Sequence, residues 1–228
     1  MTRDEQKRAA AAAAISYVTP GSTIGVGTGS TAARFIEELA AQPGLAAAAV
    51  ASSEASAAAL RAAGIRVVGL DAAPSLPLYV DGADQVDPEL RLIKGAGGAL
   101  AREKVVASAA DLFVCIIDES KLVERLGQAA GGTAAPPVPL AVLPMAAALV
   151  AERVRALGGT SAARPGYVAD DGLAIVDVAG LDLGDPERLE EELQAIPGVV
   201  ECGIFARRRA DVVLAGGSDG VRTIVPSC

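Results

Sequence analysis

The side chains best suited to chemistry fall in three short stretches. "YVDGAD" supplies Asp81 and Asp84, "IKGAGGALAREK" supplies Lys94 and Glu103, and "CIIDESK" supplies Asp118 and Lys121. A carboxylate pair with a lysine is suited to moving protons near an anionic substrate: like charges raise a carboxyl pKa, and an ammonium stabilises a developing oxyanion. A fourth stretch, "TIGVGTGSTAARFIEEL" (residues 23–39), sets three glycines and the hydroxyl residues Thr28, Ser30 and Thr31 between a short β-branched run and an amphipathic helical pattern. There is no histidine, which removes Ser-His triads and His-ligated metals and leaves acid–base work to carboxylates, lysines, tyrosines and thiols.

Three readings compete for the glycine loop. A nucleotide-hydrolase phosphate loop needs a lysine after its second glycine, and none follows. A dinucleotide fingerprint needs glycine at 25, 27 and 30; Ser30 takes the third place, although Glu54 stands where a ribose-binding acid belongs. An anion cradle needs backbone N–H groups and hydroxyls at the start of a helix, which Thr28 to Thr31 provide. A plain tight turn with Ser30 as the helix cap is the unadorned alternative. Asp81 or Asp84 taken singly is compatible with a strand-end turn, and Arg102 and Lys104 beside Glu103 read as a solvated charged helix face.

The elements that must position these residues alternate. A helix over 4–18 precedes a strand at 23–26, the glycine loop and a helix through Leu39. Strands follow at "AAAVASS", "IRVVGL", "SLPLYVDGAD" and "LFVCIID", with helices between, one of them over "GGALAREKVVASAA". Continuous apolar strands separated by helices predict a Rossmann-like, doubly wound, mostly parallel α/β sheet covered on both faces. In that architecture ligands bind beyond the carboxyl ends of the strands, where the loop, the acids and the lysines are expected to converge. Glycine, alanine and proline break all periodicity over 127–139 and predict a linker. Beyond it come a strand at 140–143, a helix over 145–157, strands at "SAAR" and "LAIVDV", a helix over 186–195 and a strand at 199–205. That βαββαβ order predicts a smaller ferredoxin-like α+β domain. The tail, "ADVVLAGGSDGVRTIV", reads as a hairpin returning to the first domain. The expected division is 1–129 with 208–228, and 130–207.

Composition narrows the functional classes. In 228 residues, 51% of them hydrophobic, a real core can be buried, and no apolar run reaches the roughly 18 residues of a membrane span. The polar start "MTRDEQKR" lacks the apolar centre of a secretory signal, which predicts a cytoplasmic protein. A net charge of −8 with 3% aromatic residues argues against a nucleic-acid partner. Cys115, Cys202 and Cys228 lack metal-ligand spacing and read as structural thiols.

Taken together, "GVGTGSTA", "YVDGADQVD", "IKGAGGALAREK", "CIIDESK" and "IPGVVECGIFARRRADVVL" resemble the type A ribose-5-phosphate isomerases over nearly the whole chain. The resemblance implies substrate contacts from Thr28, Gly29, Ser30 and Thr31, from Asp81, Gly82, Ala83 and Asp84, from Lys94, Gly95, Ala96 and Gly97, and from Lys121. It makes Glu103 the general base, places Lys7 near the phosphate, and counts Asp81, Asp84 and Lys94 with Glu103 as the catalytic set. It further implies ribose 5-phosphate and ribulose 5-phosphate as substrates, an enediolate intermediate, no metal, nucleotide or flavin, and a homodimer or tetramer. Departures from the family pattern are Ala96 for a glycine, Gln85 and Ala141 for acids, and "DDGLA" for an Asn-Gly-Asn turn. Rival readings are an amino-sugar deaminase or acyl-CoA transferase, a non-catalytic sugar-phosphate sensor, and a nicotinamide-dependent oxidoreductase.

Overall fold

The computed structural model describes residues 1–130 and 134–226. Residues 131–133 of the expected linker, and Cys228, lie outside the described residues. In chain order the elements are α1 (Arg3–Ala14), β1 (Ser22–Val26), α2 (Ser30–Ala40), β2 (Ala46–Ala51), α3 (Glu54–Ala62), β3 (Tyr79–Asp81), β4 (Gln85–Val86), β5 (Leu92–Ile93), α4 (Leu100–Ser108) and β6 (Phe113–Asp118). Then follow β7 (Val138–Val142), α5 (Ala147–Ala156), β8 (Thr160–Ala163), β9 (Ala174–Ala179), α6 (Pro186–Gln194), β10 (Val199–Cys202), β11 (Ile204–Phe205), β12 (Val212–Gly217) and β13 (Gly220–Ile224). No helix among the described residues is long and apolar enough to cross a membrane.

Two compact units divide the chain: residues 1–83, 105–119 and 210–228 form the first, and residues 84–104 and 120–209 the second. The sequence-based division ran at 129/130 and 207/208. Residues 84–104 fall in the second unit because β4 and β5 form a small antiparallel sheet with β11.

The first unit is a six-stranded sheet in the order β13-β12-β6-β3-β1-β2, parallel except for the edge strand β13. The predicted tail hairpin is β12–β13, and β12 returns to pair with β6. On one face Ala10, Ala11 and Ala14 of α1 and Phe35, Ile36 and Leu39 of α2 pack on Ile24, Val80, Val114 and Leu214. The small alanines let α1 approach closely, while each fully buried large side chain contributes about 1.5–3 kcal/mol. Thr2 caps α1 in a reciprocal box with Glu5, closing the orphan amides at its first turn. One expected strand is absent: "IRVVGL" makes only an isolated bridge from Val67 to Ala49, because the half-exposed chain turns into a 3₁₀ helix at Leu70.

The second unit contains the expected βαββαβ module, β7-α5-β8-β9-α6-β10, as an antiparallel sheet in the order β10-β7-β9-β8. Its core joins Leu140, Val142, Val150, Val154, Val176, Val178, Leu189 and Leu193. The strand expected over 199–205 is two strands. Gly203 breaks it, donating to the Pro139 carbonyl and accepting from the Lys94 amide, so β10 stays on β7 while β11 joins β5.

Candidate active site

In the first unit the glycine loop is tied to the end of β3. Asp81, wholly buried, accepts from the amides of Thr28 (3.0 Å) and Gly82 (2.7 Å) through Oδ1, and from the Tyr79 hydroxyl through Oδ2. A Cβ at residue 27 would overlap the Asp81 carboxyl, so glycine is what permits this approach. From the other side Ser56 Oγ donates to the Gly27 carbonyl (2.6 Å), and the Thr28 and Ser52 hydroxyls meet at 2.8 Å. The loop is thereby held at several points.

Gly29 is the N-cap of α2, and Ser30 and Thr31 open the helix. The first amides of a helix lack intrahelical partners and, with the helix dipole, favour an anion. Lys7 on α1 reaches this point, its Nζ donating to Ser30 Oγ at 3.0 Å. An ammonium, a hydroxyl and helix-start amides therefore lie together, which suits a phosphate monoester. Thr31 is buried and Ser30 exposed. Gly82 and Ala83 continue the chain past Asp81, and Asp118 ends β6, buried.

The second unit holds the charged pair Lys94 and Glu103. Lys94 follows β5, and Glu103 sits in the first turn of α4, where the helix dipole favours an acid. Lys94 Nζ lies 3.2 Å from Glu103 Oε2, with the two side chains 3% and 6% exposed. The Phe205 ring, also buried, is 5.6 Å from the Lys94 ammonium. Between Lys94 and α4 the chain makes a tight turn in which the Gly98 amide donates to the Gly95 carbonyl at 2.8 Å. Asp84 Oδ2 accepts from the Ala96 amide at 2.9 Å. Lys121 closes the 3₁₀ turn Glu119–Lys121 after β6.

The departures from the family pattern acquire physical accounts. Ala96 is exposed, and among the described residues Leu90 alone of the non-glycines has a positive φ, so the extra methyl at 96 brings no backbone strain. Gln85 is buried and uses both ends of its amide, donating to the Gln128 carbonyl and accepting from the Gly127 amide; an ionised acid, which only accepts, could not do both. Ala141 is fully buried against Leu100, Ile175 and Leu173, where a carboxylate would be desolvated.

Lys104 corrects the expectation of a solvated helix face. Its Nζ is buried and contacts Glu190 (2.7 Å), Glu201 (2.8 Å) and the Ile204 carbonyl (2.7 Å), and lies 4.7 Å from the Phe205 ring. Burial alone would lower its pKa, but the facing Cys202, Glu201 and Glu190 outweigh this and hold it above the usual lysine value. Glu190, Glu201 and Cys202 form a cluster of metal-ligand type whose place beside them is taken by this ammonium. Burial pushes the Cys202 thiol up to about 11, so it stays protonated and inert at neutral pH.

Sequence reasoning missed Phe205, and also Arg164 and Tyr167, which hold the 95–98 turn. Phe205 lay inside a quoted family motif but carries no chemistry of its own. The other two become meaningful only through contacts some 70 residues away in the chain.

Residues 48–220 match the family described as ribose 5-phosphate isomerase A (phosphoriboisomerase A). Solved structures agree over the full length. Ribose 5 phosphate isomerase A from Neisseria gonorrhoeae is 43% identical with a TM-score of 0.94, covering 100% of this chain and 99% of that one. Its counterpart from Methanocaldococcus jannaschii is 36% identical with a TM-score of 0.90, covering 98% and 100%. A D-ribose-5-phosphate isomerase in complex with phospho-erythronic acid is 35% identical with a TM-score of 0.92, covering 99% and 100%. With the family matched over most of its length and the fold shared throughout, the chain belongs to the ribose 5-phosphate isomerase A family and is an isomerase.

Proposed function

We propose that the protein interconverts D-ribose 5-phosphate and D-ribulose 5-phosphate through an enediolate, with Glu103 as the general base. The observation that carries this reading is the buried contact between Glu103 and Lys94, next to a turn rich in backbone amides. Glu103 takes the proton from C2 of the open-chain aldose and returns it to C1 of the same intermediate. Lys94 and the amides of the turn stabilise the enediolate oxygen. Asp81 assists ring opening and proton transfer between hydroxyls, and Asp84 completes the catalytic set. Aldose and ketose are isomers, so the hydrogens are redistributed within the substrate and no oxidant or reductant enters the balance. The relative complexed with phospho-erythronic acid supports this, since a sugar-acid carboxylate copies the charge of an enediolate.

Lys7, Ser30, Thr31 and Lys121 hold the phosphate in this reading. Ser30→Ala removes one hydroxyl from the anion cradle and leaves the proton-transfer groups untouched. Steady-state kinetics on ribose 5-phosphate should show KM raised several-fold, by the roughly 0.5–1.5 kcal/mol of one hydrogen bond, with kcat changed less. A fall in kcat at constant KM would move Ser30 out of phosphate binding.

A further inference from the structure

The turn that carries the amides is held from outside by two side chains on the loop after β8. Arg164 donates from Nη1 to the Ala96 carbonyl (2.8 Å) and from Nη2 to the Gly95 carbonyl (3.3 Å). Its guanidinium is fixed by Asp177 on β9, through Nε at 2.7 Å and Nη2 at 2.6 Å. Tyr167 donates its hydroxyl to the Gly97 carbonyl (2.7 Å), lies 5.8 Å from the Arg164 guanidinium, and covers residue 98 so closely that a Cβ there would strike its ring. Three successive carbonyls of the turn are thus captured.

In a trans peptide the carbonyl and the following N–H point in opposite directions, and there are no cis peptide bonds here. Capturing the Gly95 and Ala96 carbonyls therefore turns the Ala96 and Gly97 amides the other way. The Ala96 amide meets the Asp84 carboxylate on that side. The Gly97 amide is turned away from Arg164 in the same manner. Without Arg164 and Tyr167 these small residues, one with φ of 101° and another of 80°, would have many turn conformations open to them.

We propose that Arg164 and Tyr167 are positioning residues, a clamp that fixes the peptide planes of residues 95–98 so that the Gly97 amide is set for the oxygen that becomes charged during isomerisation, the Ala96 and Gly98 amides being taken up by Asp84 and the Gly95 carbonyl. The proposal rests on the reading of this turn as the enediolate-stabilising wall. It assigns to Tyr167, distant in sequence from the stretches that supply the charged site residues, a contribution to turnover and not to substrate capture, because preorganised donors act where charge develops.

Tyr167→Phe deletes the hydroxyl alone and keeps the ring. Kinetics on ribose 5-phosphate are expected to show kcat lowered about tenfold, the upper end for one hydrogen bond, with KM within twofold of the parent and an unchanged melting temperature. Arg164→Lys, which keeps the charge but loses the two-carbonyl grip, should lower kcat further, and Arg164→Met further still. Amide hydrogen exchange at Gly98 gives a reading independent of activity: the turn's internal bond to Gly95 should open more often in Tyr167→Phe, raising that exchange rate several-fold. Unchanged Gly98 exchange, or a rise in KM at constant kcat, overturns the clamp. A parent protein inactive on ribose 5-phosphate would overturn the isomerase reading, while Gly98 exchange still decides the clamp.

Discussion

Glu103→Gln is expected to lower kcat for ribose 5-phosphate by about 10²- to 10⁴-fold, the range for a positioned general base, with KM little altered. Glutamine keeps the size and polarity of the side chain but cannot accept the C2 proton. Its position is set by α4 and by Lys94, 3.2 Å away, so the substitution alters charge more than shape. It also leaves the Lys94 ammonium without that counter-charge in a buried place, and breaking such a pair can cost about 3–5 kcal/mol of stability. Kinetics are therefore to be measured well below the variant's own melting temperature, on protein shown to be folded. Near-normal turnover would remove Glu103 from the role of base.

Lys104→Met should unfold the protein more readily than any surface change. Methionine fills the space over the Phe205 ring, but Glu190 and Glu201 are left facing each other without their shared cation. Glu190 Oε2 still accepts from the Ala206 and Arg207 amides, which holds it in place and prevents escape to solvent. An uncompensated buried charge costs about 3–5 kcal/mol, and at about 2–4 °C per kcal/mol for a chain of this size the melting temperature should fall by about 6–20 °C. Converting Glu190 and Glu201 to glutamine in the same chain should recover part of it. The pH dependence has a definite sign. Lys104 has a folded-state pKa above its ordinary value of 10.5, so its contribution is complete below that pH and is lost as the pH rises beyond it. A melting temperature unmoved by Lys104→Met would mean the cluster adds nothing.

The parallel sheet was legible because strands buried on both faces leave continuous apolar runs such as residues 113–117, and the ferredoxin-like module because its helices and strands alternate with clear period changes. The loop and the start of α2 were legible for a local reason: glycine, hydroxyl and helix-start signals are contiguous, and Lys7, named from the family resemblance, lies against Ser30. What stayed hidden depends on partners far apart in the chain. "IRVVGL" has strand composition, yet its bonds to the sheet are confined to Ala49. Residues 199–205 look like one strand, and only the approach of Lys94 and Pro139 to Gly203 shows why they are two. Lys104 in "AREK" is locally a helix-surface lysine; its burial is set by Glu190 and Glu201, more than 85 residues on. The grip of Arg164 and Tyr167 on the glycine turn has no local trace either.

The most direct test of the account is conversion of ribose 5-phosphate by purified protein dialysed against a strong chelator, with no nicotinamide added, in D₂O and followed by NMR. Ribulose 5-phosphate should accumulate to equilibrium, with solvent deuterium appearing bound to C1 over repeated turnovers as the enediolate is reprotonated. No ketose under these conditions, or ketose only when a metal or nicotinamide is supplied, would contradict it.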